Sequence, residues 1–162
     1  FFSTNSLAKT LLQKLSSEIS IKNIAVDSSD ELTFFTDNNI KVTFLYYPFT
    51  SPYPVKLLEN GLQIFSVKTI AIQKAYTIGR RGEYRDYFDM YTILKNKHMD
   101  FSELISTTKT VYGSVFEEKL FLQQLVYFDD LLNFDIIPVI ENAMASPKEV
   151  KQFFEALVKS YV

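Results

Sequence analysis

The sequence predicts an α+β protein: a small mixed or antiparallel sheet followed by a C-terminal helical bundle. Three observations carry that expectation. Strand-like runs dominate residues 22–46, the apolar spacing changes to about 3.6 residues from Ser66 onward, and a segment containing Pro48, Pro52 and Pro54 separates the two regimes. At 162 residues, with 47% apolar and 22% charged residues, the chain has the length and composition of one folded domain rather than of a disordered segment.

The elements follow in order. Leu7, Leu11, Leu12 and Leu15 recur at helical spacing within Asn5 to Ser17, with Asn5 or Ser6 as N-cap, so an amphipathic helix is expected there. Strands are expected over Lys22 to Val26, Leu32 to Thr36 and Lys41 to Tyr46, the last two joined in a hairpin by Asp37, Asn38 and Asn39. Leu62 to Phe65 reads as one more short strand. Ser66 caps a helix ending at Ile78 and Gly79, and Tyr84 to Lys95 forms a second, with Tyr84, Phe88, Tyr91 and Leu94 on one stripe. Asp100 and Glu103 have the spacing of a capping box for a third helix, and Glu117 to Phe128 supplies a fourth. The clearest signal is SPKE at Ser146 to Glu149, with an N-cap serine, proline at the first helical position and glutamate at the third, ahead of Phe153, Phe154, Leu157 and Val158.

Composition also excludes function classes. The 17 basic and 19 acidic residues give a net charge of −2, which offers no global attraction to nucleic acid or anionic membrane, so any polyanion site must be local. Cysteine is absent, which removes thiolate ligands, thiolate nucleophiles and disulfides. The single histidine, His98, excludes histidine-rich metal clusters and reads as a solvated or helix-capping residue in NKHMD. No run approaches the roughly 20 apolar residues of a membrane span. The start FFSTNS carries neither an initiator methionine nor a basic leader segment, and further residues are expected before Phe1.

Candidate chemistry concentrates in KAYTIGRRGEYRDYFDMY, from Lys74 to Tyr91. Lys74 falls within the apolar stripe formed by Ile70, Ala71 and Ile78, where an ammonium must reach a carboxylate, a ligand phosphate or, by extending its stem, water. Asp86 and Asp89 share a helix face, and Arg85 is spaced to pair with Asp89 within that helix. Gly79 and Gly82 flank Arg80 and Arg81 close to the start of the next helix, and guanidinium groups there suit phosphate, although Gly79 is also explained as a helix end. The aromatic residues Phe34, Phe35, Phe44, Tyr46 and Tyr47 follow strand patterning and read as core rather than as a base-stacking platform. Asp129 and Asp130 stand at a helix C-terminus, where carboxylates oppose the helix dipole and hint at a partner.

The run SVKTIAIQKAYTIGRRGEYRDYFDMYTILK resembles a signature of the AbiEii/AbiGii toxin family of nucleotidyltransferases: a helix with a lysine, an arginine-rich turn, then an Arg-Asp-x-x-Asp-x-Tyr helix. Lys74, Arg81, Arg85, Asp86, Asp89 and Tyr91 fall on that pattern. NNIKVTFLYYPF upstream, and LVYFDDLLNFD with SPKEVKQFFEAL downstream, extend the resemblance over nearly the whole chain. The resemblance implies a polymerase-beta-like fold, with residues 1–66 as a partial nucleotidyltransferase core and residues 67–162 as a helical region packed on it in a single structural unit. It implies Mg²⁺ and a nucleoside triphosphate, in-line attack on the α-phosphate, Lys74 and Asp86 in catalytic roles, and Arg81, Arg85 and Asp89 in nucleotide binding. It also implies a cytoplasmic toxin of a toxin–antitoxin or abortive-infection system, with a cognate antitoxin as partner and an RNA or protein as acceptor. The family's Asp-x-Asp pair would precede Phe1, and Thr43 stands at the position of its third carboxylate. A catalytically inactive module of the same fold that binds a partner protein or nucleic acid is the alternative.

Overall fold

The computed structural model describes residues 1–134 and 145–162. The last residue of LVYFDDLLNFD, Asp135, lies outside the described residues. The chain divides into two compact units, Phe1–Thr50 and Ser51–Val162. The division falls inside the proline-containing segment, so residues 51–66 group with the helices and not with the strands before them. Local hydrogen bonds explain that grouping. Ser51 Oγ lies 2.8 Å from Thr69 Oγ1, and the Tyr53 hydroxyl donates to Glu103 Oε1 at 2.8 Å.

The first unit carries a sheet of order β1-β4-β3-β2, built from β1 (Phe2–Ser3), β2 (Ile21–Asp27), β3 (Glu31–Thr36) and β4 (Lys41–Tyr46). The β2-β3 and β3-β4 pairs are antiparallel and β1 runs parallel to β4, so the sheet is mixed. The expected hairpin forms at Asp37 to Asn39. Asn39 takes φ +59°, a conformation that asparagine tolerates, and its N–H donates to the Thr36 carbonyl at 2.8 Å. Leu32, Thr33 and Phe34 are buried in β3, the central antiparallel strand.

The helix expected over Asn5 to Ser17 is confined to α1 (Leu11–Ser16), capped at Thr10 with no side-chain hydrogen bond. A stripe of leucines gives the period, but no side chain caps an earlier start: Ser3 Oγ donates to the Asn5 carbonyl instead. The short strand β1 had no signal in the alternation, being only two residues long.

The second unit begins with the two-stranded β5 (Lys56–Leu57) and β6 (Gln63–Ile64), which replaces the single strand expected near Leu62. Its helices are α2 (Val67–Ile78), α3 (Tyr84–Lys95), α4 (Phe101–Tyr112), α5 (Glu118–Val126) and α6 (Pro147–Tyr161). The architecture is thus α+β with a C-terminal helical region, as the periodicity predicts. Helix α2 packs against α3, α4 and α5, and α6 closes over α3 and α5. Ile72 and Ile78 of α2, Tyr87 and Met90 of α3, Leu104 of α4, Phe121 and Leu125 of α5 and Phe154 of α6 form the buried interior. The Tyr87 hydroxyl is satisfied there by donating to the Gln124 carbonyl at 3.0 Å. His98 follows α3 on the surface.

Caps decide where these helices begin. Ser66 Oγ accepts from the Thr69 N–H at 3.2 Å, as expected for α2. Asp100 stands at the N-cap of α4 but makes no side-chain cap bond. The missing half of the expected box is thus the Asp100 side chain: the Glu103 carboxylate is held by Lys68 Nζ, which donates to it at 2.6 Å, by the Tyr53 hydroxyl and by the Asp100 backbone. At α6 the capping box is complete: the Ser146 N–H donates to Glu149 Oε2 at 2.7 Å, and Ser146 Oγ accepts from the Glu149 N–H at 3.3 Å. Replacing Ser146 by alanine is expected to cost about 1 kcal/mol in chemical unfolding, with no change in the packed face of α6.

Candidate functional site

The residues singled out in KAYTIGRRGEYRDYFDMY converge on one carboxylate. Lys74 projects from α2, Arg81 from the turn after it, and Asp86 from the first turn of α3. Lys74 Nζ lies 2.8 Å from Asp86 Oδ1 and also pairs with Asp89. The Arg81 guanidinium engages both oxygens, with Nε 2.7 Å from Oδ2 and Nη2 3.1 Å from Oδ1. Lys74, placed by spacing inside an apolar stripe, thus meets its requirement with carboxylates and not by reaching out to water. The face shared by Asp86 and Asp89 is real, and one lysine bridges it.

Burial sets the electrostatics. The Asp86 side chain has 0% exposure, against 20% for Lys74 and 48% for Arg81. Burial alone pushes the Asp86 carboxyl up, but the hydrogen bonds and charges of Arg81 and Lys74 outweigh it and hold the group below its ordinary value. The Asp86 hydrogen bond correspondingly raises Arg81 against the opposing effect of its own partial burial. Asp86 is therefore a fixed anion with both oxygens occupied, which makes it a poor proton acceptor and a good anchor for two cations.

The pairing of Arg85 with Asp89 expected from their spacing does not form. Lys74 takes Asp89, and Arg85 is exposed without a hydrogen bond or ion pair among the described residues. Arg80 turns the other way: its guanidinium lies 3.9 Å from the ring centre of Tyr76, which stacks on Tyr112 at 4.1 Å, and Nη2 donates to the Val115 carbonyl at 2.7 Å. Residue spacing does not separate Arg80 from Arg81; the family resemblance alone singles out Arg81. Tyr91 packs edge-on against Phe153 at 5.0 Å and belongs to the α3–α6 contact.

Tyr84, which spacing places on the apolar stripe of α3, is buried as that stripe requires. Its hydroxyl is buried with no partner among the described residues, and burial, with Tyr91 and Glu149 nearby, pushes its pKa up to about 12. Asp129 and Asp130 lie beyond the end of α5 at Val126, in a turn, so they do not oppose its dipole from within the last turn. Thr43 is in the first unit, on β4. Its hydroxyl is 2.9 Å from Thr33 Oγ1, which also donates to Glu31 Oε1 at 2.7 Å.

No family model matches the chain. The chain is 32% identical over 142 residues to the uncharacterized protein aq_aa25 of Aquifex aeolicus (strain VF5), an alignment covering 83% of this chain and 63% of that protein. The chain therefore spans less than two thirds of that relative's length. The crystal structure of JHP933 from Helicobacter pylori aligns with a TM-score of 0.44 and 18% identity, over 96% of this chain and 73% of that one. Among the described residues no helix is long and apolar enough to cross a membrane.

Asp86 makes stability depend on acid. Its folded value lies below the ordinary 3.8, so its contribution is fully present above that value and is lost as pH falls through the lower folded value. Asp86→Asn is expected to cost about 2 kcal/mol at neutral pH, less than a wholly buried pair because Arg81 is half-exposed and Lys74 keeps Asp89. In urea unfolding measured against pH, that difference should stay constant down to about pH 4 and shrink below it.

Proposed function

We propose that the chain is the greater part of a nucleotidyltransferase of the toxin class, acting in the cytoplasm beside a cognate antitoxin, with Lys74 and Arg81 as triphosphate-binding cations. The observation that carries this reading is that one buried carboxylate holds a lysine and an arginine side by side, with part of each still open to solvent. Arg81 spends two of its five N–H donors on Asp86, and the outward ones remain available to phosphate oxygens. Arg85, exposed and unpaired among the described residues, adds a third cation on the same helix start.

In this reading an acceptor hydroxyl attacks the α-phosphorus, the new O–P bond forms as the bond to the β-phosphate oxygen breaks, and pyrophosphate leaves with its charge. The acceptor's proton passes to solvent. Lys74 and Arg81 bind and orient the phosphates and offset their charge, which is worth most where the cations are already held in place and need no reorganisation. Asp86 is a positioning residue: it fixes both cations and takes no proton. Asp89 holds the second side of Lys74.

Mg²⁺ and an NTP belong to the same proposal. Among the described residues no group of His, Cys, Asp or Glu is placed to hold a metal ion. Thr43 offers a hydroxyl already engaged with Thr33, a poor magnesium ligand beside a carboxylate. These residues do not fit the metal, so its ligands are not assigned to them.

The second reading, a non-catalytic module that binds a partner protein or nucleic acid, draws on a different aspect of the same cluster. Lys74, Arg81, Asp86 and Asp89 sum to zero charge and satisfy one another, as a clamp between α2 and α3 would require without any ligand. Incubating the full-length encoded protein with labelled NTPs, Mg²⁺ and candidate RNA or protein acceptors separates the two. Transfer is expected, with Lys74→Ala lowering it about 100-fold or more while circular dichroism shows an intact fold. Unchanged transfer in Lys74→Ala would remove Lys74 from the site, and absence of transfer with any acceptor would favour the binding module.

A further inference from the structure

The turn that carries Arg81 is held from outside by a segment remote in sequence. After α5 the chain passes Phe128 to Asn133 alongside residues 82–84. The Leu132 N–H donates to the Gly82 carbonyl at 2.8 Å, and the Tyr84 N–H donates to the Leu132 carbonyl at 3.1 Å, forming a parallel bridge between Glu83 and Leu132. Asn133, at φ +57°, places its amide against Glu83, with Nδ2 donating to the two carboxylate oxygens at 3.2 and 3.0 Å. Gly82 meets this segment most closely: a Cβ there would stand 2.9 Å from the backbone carbonyl oxygen of Asp130. Real Cβ atoms essentially never come so near, and a backbone carbonyl cannot swing aside as the end of a side chain can. Gly79, three residues earlier in the same turn, has open space around its own Cβ position.

We infer that the Phe128–Asn133 segment is a strap that sets the place of Arg81 against Asp86, with Gly82 and Asn133 as positioning residues of the Lys74–Arg81 cation pair. On its α2 side Arg81 is held by its own backbone N–H, which donates to the Thr77 carbonyl at 3.2 Å; on its α3 side the strap holds the chain one residue on, at Gly82. Arg81 lies on a surface turn, is half-exposed, and reaches Asp86 only if the backbone at residue 82 keeps its course into α3. The strap fixes that course by hydrogen bonds on both sides of Glu83 and by the contact at Gly82. This also gives the acidic Asp129–Asp130 turn a role: its backbone, not its carboxylates, is what the site uses. The consequence for ligand binding rests on the phosphate reading above, whereas the placement of Arg81 does not.

The two can be told apart by one set of variants of the chain: Gly82→Ala, Asn133→Gly and, as the control, Gly79→Ala. The Asp86 carboxyl is titrated by carbon-13 NMR, and inorganic tripolyphosphate is titrated in by calorimetry. In Gly82→Ala the Asp86 midpoint is expected to rise by about one pH unit, because Arg81 no longer offsets its burial. Tripolyphosphate should bind roughly 10-fold more weakly, as the loss of one charge-assisted contact implies. Gly79→Ala should leave both unchanged, and Asn133→Gly, whose backbone conformation glycine accepts, should move both in the same direction by less. A folded Gly82→Ala protein with the wild-type midpoint overturns the strap. If Gly82→Ala does not fold, Asn133→Gly decides on the same midpoint, an unchanged value overturning the inference. A shifted midpoint in a protein whose wild type binds no tripolyphosphate upholds the strap and overturns the phosphate reading instead.

Discussion

A carboxylate with no exposed surface cannot remain ionised in a protein interior unless cations and hydrogen bonds replace the water it has lost. Asp86 meets that condition with Lys74 from α2 and Arg81 from the turn between α2 and α3. Three consecutive elements must therefore hold their relative positions for one charge to be tolerated. If α2 turned about its axis, Lys74 would leave the cluster; if the turn moved outward, Arg81 would. The apolar packing of Ile72, Ile78, Tyr87 and Met90 supplies the cohesion, but it is not directional in the way that a bidentate guanidinium–carboxylate pair is.

That constraint organises the surroundings. Arg80 and Arg81 are adjacent, yet the first is committed to Tyr76 and the Val115 carbonyl and the second to Asp86. Their separation keeps the arginine-rich turn from having two like charges competing for one partner. The strap at Phe128–Asn133 takes up the Gly82 carbonyl and the Tyr84 N–H, and Tyr87 ties α3 to α5 through the Gln124 carbonyl. A cation pair assembled in this way is already oriented before any anion arrives, which is the physical basis for reading it as a phosphate-binding device.

Much of the second unit was legible because helix limits are set locally. Ser66 caps α2 and Ser146 with Glu149 caps α6, each bond spanning only three residues. At α4 the local signal was only half realised: Asp100 makes no side-chain cap bond, and the Glu103 carboxylate is shared among the Asp100 backbone, Lys68 and Tyr53, two of which spacing could not show. The amino-terminal helix failed for a different reason. Its leucine period was present, but Asn5 and Ser6 cap nothing, and α1 starts only at Leu11. The strand pair β3-β4 was legible from alternation and its asparagine turn, whereas the two-residue strands β1 and β5 were too short to show a period.

By itself the sequence determined the residue types available for chemistry, the absence of thiols, the near-neutral charge, the order of strands before helices, and the placing of Lys74 on an apolar face and of Asp86 beside Asp89 on one helix face. It left open which cation each aspartate would take, since spacing within one helix favours Arg85 for Asp89 as readily as tertiary contact favours Lys74. Only the tertiary structure decided that Lys74 bridges both aspartates, that Arg81 and not Arg80 reaches Asp86, and that Gly82 is required for space and not for its backbone angles. The reason is that burial, the choice among competing charges and the approach of a remote carbonyl are properties of packed neighbours, which local spacing does not contain.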